Sequence, residues 1–201
     1  MRLERSIVVN AALKLLNEVG MDGLTTRRLA EDLGVQGPAL YWHFKNKQEL
    51  IDEMARALLT HSYGRAQPGQ DWADWLAYGA RRLRRAMLSY RDGARLMAGY
   101  RPSGDHGRLD PEVMFGPLFA AGFCRSDCFW AVLTVGQFTF GWTMDEQAAL
   151  ERGRPSGPWG KSDEGFEFGL GAIIAGLKVR LAQSPGGVDC APLASAPQTL
   201  G

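Results

Sequence analysis

"TTRRLAEDLGVQGPALYWHFKNK", Thr25 to Lys47, decides the fold. A buried element would not carry Arg27, Arg28, Lys45 and Lys47. A plain solvated loop would not carry Leu29, Leu33, Val35, Leu40, Tyr41, Trp42 and Phe44. Thr25 is placed to cap a short helix that runs to Leu33, with Gly34 as its stop. A second helix fits Gly37 to His43, with Pro38 in the first turn, where a missing N–H costs nothing. Two short helices meeting at a glycine, the second showing polar and aromatic groups, make the helix-turn-helix pattern, whose second helix enters the major groove. Arg27, Lys45 and Lys47 suit phosphates. Tyr41, Trp42 and His43 can donate to phosphate oxygens while their rings pack on sugars. The competing reading is a small helical subdomain whose aromatics are core.

Outward from this segment the chain reads as all-α. Ile7, Val8, Ala11, Ala12, Leu15, Leu16 and Val19 recur at helical spacing and Gly20 ends the run. Asn46 and Glu49 make a variant capping box before a helix carrying Leu50, Ile51, Met54, Leu58 and Leu59. "GRAQPGQ" (64–70) is a break. The expected divisions are a DNA-binding unit over 1–48, a connector over 49–66, a larger helical domain over 67–184 and a disordered tail over 185–201. In the larger domain one helix fits Trp72–Tyr90, with Arg81, Arg82, Arg84 and Arg85 as its solvated face. A short helix fits Pro111–Ala121. Ser126 caps an apolar helix to Leu150, and Ser162 caps a last one, Asp163–Gln183. No stretch alternates at period two long enough to be a strand.

Composition excludes several classes. The 201 residues are 45% hydrophobic and 22% charged, with net charge +1, which fits a globular chain. Cys124, Cys128 and Cys190 are too few for a disulfide framework and point to a reducing compartment. Cys124 and Cys128 lie among Phe123, Phe129 and Trp130 without histidine, and are expected as buried thiols. "FWAVLTVGQFTFGW" is too short to span a bilayer and no leader opens the chain, so a cytoplasmic protein without a membrane partner is expected. The histidines (His43, His61, His106) form no catalytic pattern, and nucleotide-binding, hydrolase and zinc-protease motifs are missing, so no enzyme is expected.

"GLTTRRLAEDLGVQGPALYWHFKNKQELID" resembles the DNA-binding domain of the TetR family of bacterial repressors, the tetracycline repressors above all. "YRDGARL" (90–96), "GYRP" (99–102), "GF" (122–123) and "QFTFG" (137–141) extend the resemblance over residues 2 to 150. It implies a homodimer on a double-stranded palindromic operator, with a three-helix DNA-binding domain, a connector helix, and a larger helical domain for ligand and dimerisation. The implied operator contacts are Thr26, Arg27, Gln36, Gly37, Pro38, Ala39, Tyr41, Trp42, His43 and Lys47. Gly37 stands where tetracycline repressors place a base-reading glutamine, and Ala39 replaces a threonine. A bidentate base contact is worth ~1–3 kcal/mol, and glycine cannot make one. Another operator is therefore expected, read by Gln36 and Arg27.

The resemblance also implies where an effector sits. Tetracycline repressors take a magnesium chelate. The positions matching its ligands are Tyr63, Gly79, Met97 and Met114, with Gln137 for a further histidine and Asp145 nearest the carboxylate. A thioether is a poor partner for a hard cation, so no metal site and no obligatory cofactor are expected. Tyr63, Leu83, Met97, Tyr100, Met114, Phe115, Phe129 and Val132 are expected to line a cavity, with Arg101 as polar anchor. The other reading is that they fill the core. The expected protein is a repressor released by a hydrophobic, aromatic or polycyclic small molecule, set over an efflux or resistance gene. The alternatives are a magnesium-tetracycline-responsive repressor and a small-molecule binder without regulatory DNA binding. For the dimer, "FGLGAIIAGLKVRL" offers Gly169, Ala172 and Gly176 for close approach and Ile173, Leu177 and Leu181 for burial. Packing within one chain is the alternative.

Overall fold

The structure, a computed structural model, describes residues 3–63, 66–67, 69–98, 100, 111–157 and 160–183. The described residues form helices and no strands: α1 (Arg5–Gly23), α2 (Thr26–Leu33), α3 (Gly37–Tyr41), α4 (Lys47–Ser62), α5 (Trp72–Leu88), α6 (Gly93–Ala98), α7 (Pro111–Ala120), α8 (Arg125–Glu151) and α9 (Ser162–Gln183). Arg101 and the expected tail lie outside the described residues.

α1 to α4 enclose one apolar cluster. Val8, Ala12 and Leu16 of α1 meet Leu29 of α2, Leu40 of α3 and Met54 of α4, all almost inaccessible to water. The local chemistry is the expected one for α2: the Thr25 hydroxyl accepts from Arg28 N–H, and Gly34 closes the helix in the left-handed region. Asn46 Oδ1 accepts from Glu49 N–H, while Glu49 reaches back to Lys45 N–H rather than to its own cap residue. Such a cap contributes about 1 kcal/mol. Two boundaries differ from expectation. Gly20, with φ +69, kinks α1, which resumes for one more turn to Gly23. α3 stops at Tyr41, and Trp42 is its C-cap.

A second cluster holds the larger domain. Tyr63 joins Trp75, Leu76, Leu83 and Met87 of α5, Leu118 of α7, Val135 of α8 and Phe166 and Leu170 of α9. α4 packs on α1, α5 and α6, so it borders both clusters. Met97 of α6 packs against both. In α8, Thr139 and Thr143 are buried and return their hydroxyls to the carbonyls of Val135 and Thr139, which lets polar residues sit in an apolar helix.

Several expectations in this domain are corrected. α8 is capped by Cys124, whose sulfur accepts from Asp127 N–H, and not by Ser126. Ser162 does not cap α9 with its hydroxyl. It donates to buried Glu146 and accepts from Trp142 Nε1 at 2.9 Å. The four arginines of α5 are not one solvated face. Arg84 is mostly buried, grips Glu146 of α8 through two nitrogens, reaches Asp163 of α9 at 2.6 Å, and lies 4.7 Å from the Phe166 ring centre. Arg81 makes a bidentate pair with Glu167. Cys124 is half-buried and disulfide-bonded rather than a free thiol, so the expected buried thiol is found at Cys128 alone among the described residues. Burial pushes the Cys128 pKa up to about 12, so it stays protonated and packs as a small apolar group.

No helix among the described residues is long and apolar enough to cross a membrane. The outer faces of α8 and α9 leave Trp130, Phe168 and Val179 exposed, and an added Cβ at Gly171 or Gly176 would meet open space.

Candidate DNA interface and effector site

Residues 36–47 form one exposed tip. Leu40 and Phe44 turn inward, at 3% and 4% exposure, and Tyr41 and Trp42 between them turn outward, at 54% and 88%. This alternation answers the choice between core and surface aromatics: Leu40 and Phe44 anchor, Tyr41 and Trp42 do not. Gln36, Pro38, Lys45 and Lys47 are exposed around them, and Thr26, Gly37, Ala39 and His43 are half-buried. Arg27 is exposed but paired with Glu31 at 3.0 Å, one turn on along α2. Gly37 has ordinary helical surroundings, and an added Cβ would find open space. Nothing in the packing therefore demands glycine there.

A knot of polar bonds behind the tip was not foreseen. Arg5, the first residue of α1, donates to the His43 carbonyl at 2.6 Å and to Glu49 at 3.0 Å, and lies 4.6 Å from the Phe44 ring centre. The Lys45 N–H, followed by Arg5, holds the Glu49 carboxyl below the usual carboxylate range. No spacing rule would have paired Arg5 with residues some 40 positions away.

The larger domain reaches this unit through its 90–95 turn. Met21 N–H donates to Asp92 at 2.7 Å, Arg91 N–H donates to Asn17 at 2.7 Å, and Arg95 forms a bidentate pair with Asp22. Asp92 itself takes a positive φ of 58. A Cβ on Gly20 would stand 2.8 Å from the Asp92 carboxylate, so the kink in α1 is the seat of this contact. Gln147 of α8 clamps the other side of the turn, accepting from Ala94 N–H and donating to the carbonyls of Met87 and Tyr90.

The residues expected around an effector divide into three groups. Tyr63, Leu83, Met97, Met114, Phe115 and Val132 belong to the second cluster or pack against it. Tyr100 packs instead on the cluster of the N-terminal unit. Phe129, Gln137 and Asp145 are exposed on α8, so in the single chain they do not line the same interior as the rest. The buried side of the same turns of α8 is taken by Cys128, Thr139 and Glu146. Trp75, which sequence reasoning passed over, packs its ring 5.7 Å from that of Tyr63.

Tyr63 and Gly79 fit as a pair. A Cβ on Gly79 would lie 2.3 Å from two carbons of the Tyr63 ring, so the ring fills the place that a larger side chain on α5 would need. The Tyr63 hydroxyl is buried and has no hydrogen-bond partner among the described residues. Burial raises its pKa, so the phenol stays neutral. Leaving such a group unsatisfied costs about 1–3 kcal/mol. Tyr63→Phe is therefore expected to stabilise the protein by ~1 kcal/mol, raising Tm by roughly 2–4 °C for a chain of this size. A thermal melt checks this; a fall in Tm would show that the hydroxyl is in use.

Known proteins share both halves of this architecture. Residues 8–54 match the family model of bacterial regulatory proteins, tetR family, and residues 65–158 match the tetracyclin repressor-like C-terminal domain. The chain is 43% identical to the tetracycline repressor protein class C of Escherichia coli, over 90% of this chain and 93% of that one. Its fold is similar to a variant of TetR from Acinetobacter baumannii AYE in complex with minocycline. That likeness has a TM-score of 0.76 and 42% identity, over 91% of this chain and 100% of that one. It is also similar to BioQ bound to its double-stranded DNA operator, with a TM-score of 0.67 and 34% identity, over 88% of this chain and 98% of that one.

Proposed function

We propose, from the fact that this chain belongs to the tetR family of bacterial regulatory proteins, that it binds a palindromic operator as a homodimer and leaves it when a small molecule enters the larger domain. Membership makes it a ligand-responsive DNA-binding regulator of the tetracycline-repressor type and not an enzyme. The observation that carries the operator reading is the tip at 41–47, where Tyr41, Trp42, Lys45 and Lys47 project from a core made by Leu40 and Phe44. Half-sites one helical turn apart need recognition helices about 34–36 Å apart, which only two copies can supply. The exposed apolar and small residues of α8 and α9 support their pairing with a second copy in a four-helix bundle.

The effector is a hydrophobic, aromatic or polycyclic molecule, and the regulated gene one of efflux or resistance. Tyr63 over Gly79, with Leu83, Met97, Met114, Phe115 and Val132 near, is an apolar wall with one idle hydroxyl. Thioethers at Met97 and Met114 favour soft, apolar surfaces over a hydrated cation. A ligand pressing on Met97 moves α6, and with it the 90–95 turn seated on α1 and the side of α4. Both routes tilt the N-terminal unit, spoil the spacing of the two recognition helices, and set ligand against operator through one two-state element. The second reading, a magnesium-tetracycline response, is favoured by the similarity to TetR (class A) solved in complex with 5a,6-anhydrotetracycline and magnesium. Titration of the full chain with tetracyclines and with metal-free lipophilic aromatics, each with and without EDTA, separates them. Release that occurs only with magnesium overturns the first reading.

Operator preference has its own test. Selection from random duplexes is expected to recover a site other than the tetracycline operator. Because Gly37 has open space, Gly37→Gln is expected to fold normally and to shift preference at one base pair per half-site by ~1–3 kcal/mol, about 5- to 150-fold. An unchanged preference would remove Gly37 from the reading positions.

A further inference from the structure

The turn that follows the recognition helix is fixed from behind by two polar anchors that share one carboxylate. Glu49 of α4 accepts the Lys45 N–H on one oxygen, at 2.7 Å, and Arg5 on the other, at 3.0 Å. Arg5 extends the link to the His43 carbonyl at 2.6 Å, covers the Phe44 ring, and stands 3.6 Å from Glu53, one turn further along α4. Glu53 is nearly buried and is itself held by Arg56. Leu40 and Phe44 hold the segment against the core, but apolar packing does not fix rotation or height as a directed bond does. Only a planar fork can meet a carbonyl, a carboxylate and a ring face at once; a lysine offers a single point charge. Arg5 is about one-third exposed, so it lies at the edge of the core and not in it.

We propose that Arg5 is a positioning residue for operator recognition: it fastens the 42–45 turn to α4, so that the connector and the recognition element move as one piece. The inference rests on the DNA-binding reading above. It implies that Arg5 matters for discrimination between sequences more than for attraction to DNA. Discrimination needs Gln36 and α3 at a fixed height over the base pairs, whereas attraction needs only positive charge near phosphates.

The test uses the full chain, the duplex that the unaltered protein selects from a random pool, and a scrambled duplex of equal length. Affinity for each is measured by fluorescence anisotropy at several salt concentrations, beside thermal melts. Arg5→Lys is expected to weaken binding to the selected duplex about tenfold or more while affinity for the scrambled one, the salt slope and Tm change little. Glu49→Gln, which weakens the same link without touching the charge of Arg5, is expected to reproduce the narrowed ratio. If the ratio of the two affinities holds within about twofold in either variant, the inference is overturned. Equal loss on both duplexes with a smaller salt slope also overturns it, because Arg5 is then a phosphate contact. Failure of the unaltered protein to bind any duplex sinks the DNA-binding reading itself, a result distinct from both.

Discussion

Glu146→Ala is expected to lower stability by about 3–5 kcal/mol, the usual result of removing one partner from a buried ion pair. Glu146 is 3% exposed and receives Arg84 from α5 and Ser162 from α9. Without it, Arg84 keeps Asp163, which is solvent-exposed, as its remaining ion-pair partner, and the Ser162 hydroxyl loses its acceptor. Three helices then lose the group that joins them. For a chain of this length the fall in Tm is roughly 6–20 °C. Two controls sharpen the reading. Arg81→Ala breaks a half-exposed pair with Glu167 and is expected to change stability by at most ~1 kcal/mol. The double change Arg84→Met with Glu146→Leu, which removes both charges, is expected to recover much of the loss. A Tm for Glu146→Ala within about 3 °C of the parent would mean that the knot is not buried in solution.

That knot marks where sequence reading stops. Thr25, Gly34 and Asn46 announced their roles because capping and left-handed turns act over a few residues, and the structure puts each where its chemistry requires. Arg84 did not announce its role. Four arginines on one helix read as a wet face, and nothing within a turn or two distinguishes Arg84 from Arg85. What separates them is Glu146, 62 positions away. Arg5 and Asp92 share this property, each finding its partner across the fold. The expected effector residues divide for a related reason. Resemblance puts Tyr63 and Gly79 in one set, but their stacking and the exposure of Phe129, Gln137 and Asp145 depend on how α4, α5 and α8 pack.

The Tyr41→Ala, Trp42→Ala double variant is expected to lose about a thousandfold in operator affinity with no loss of stability. Each ring offers the DNA backbone one donor and an apolar face, and a neutral hydrogen bond contributes ~0.5–1.5 kcal/mol net. Two such residues in each of two copies give roughly 4 kcal/mol, and every 1.4 kcal/mol is tenfold. Stability should hold because both side chains project from the fold, Trp42 at 88% exposure, while the neighbours that anchor the segment are untouched. Phe44→Ala is the opposite case: that side chain is 4% exposed and its loss is expected to cost about 3–5 kcal/mol. The contrast decides between the two readings with which the segment began. If the double variant melts well below the parent, the aromatics are core and the tip is not a reader. If it melts normally and still binds the selected duplex within about threefold, the DNA face lies elsewhere on the unit, and the exposed rings serve another surface.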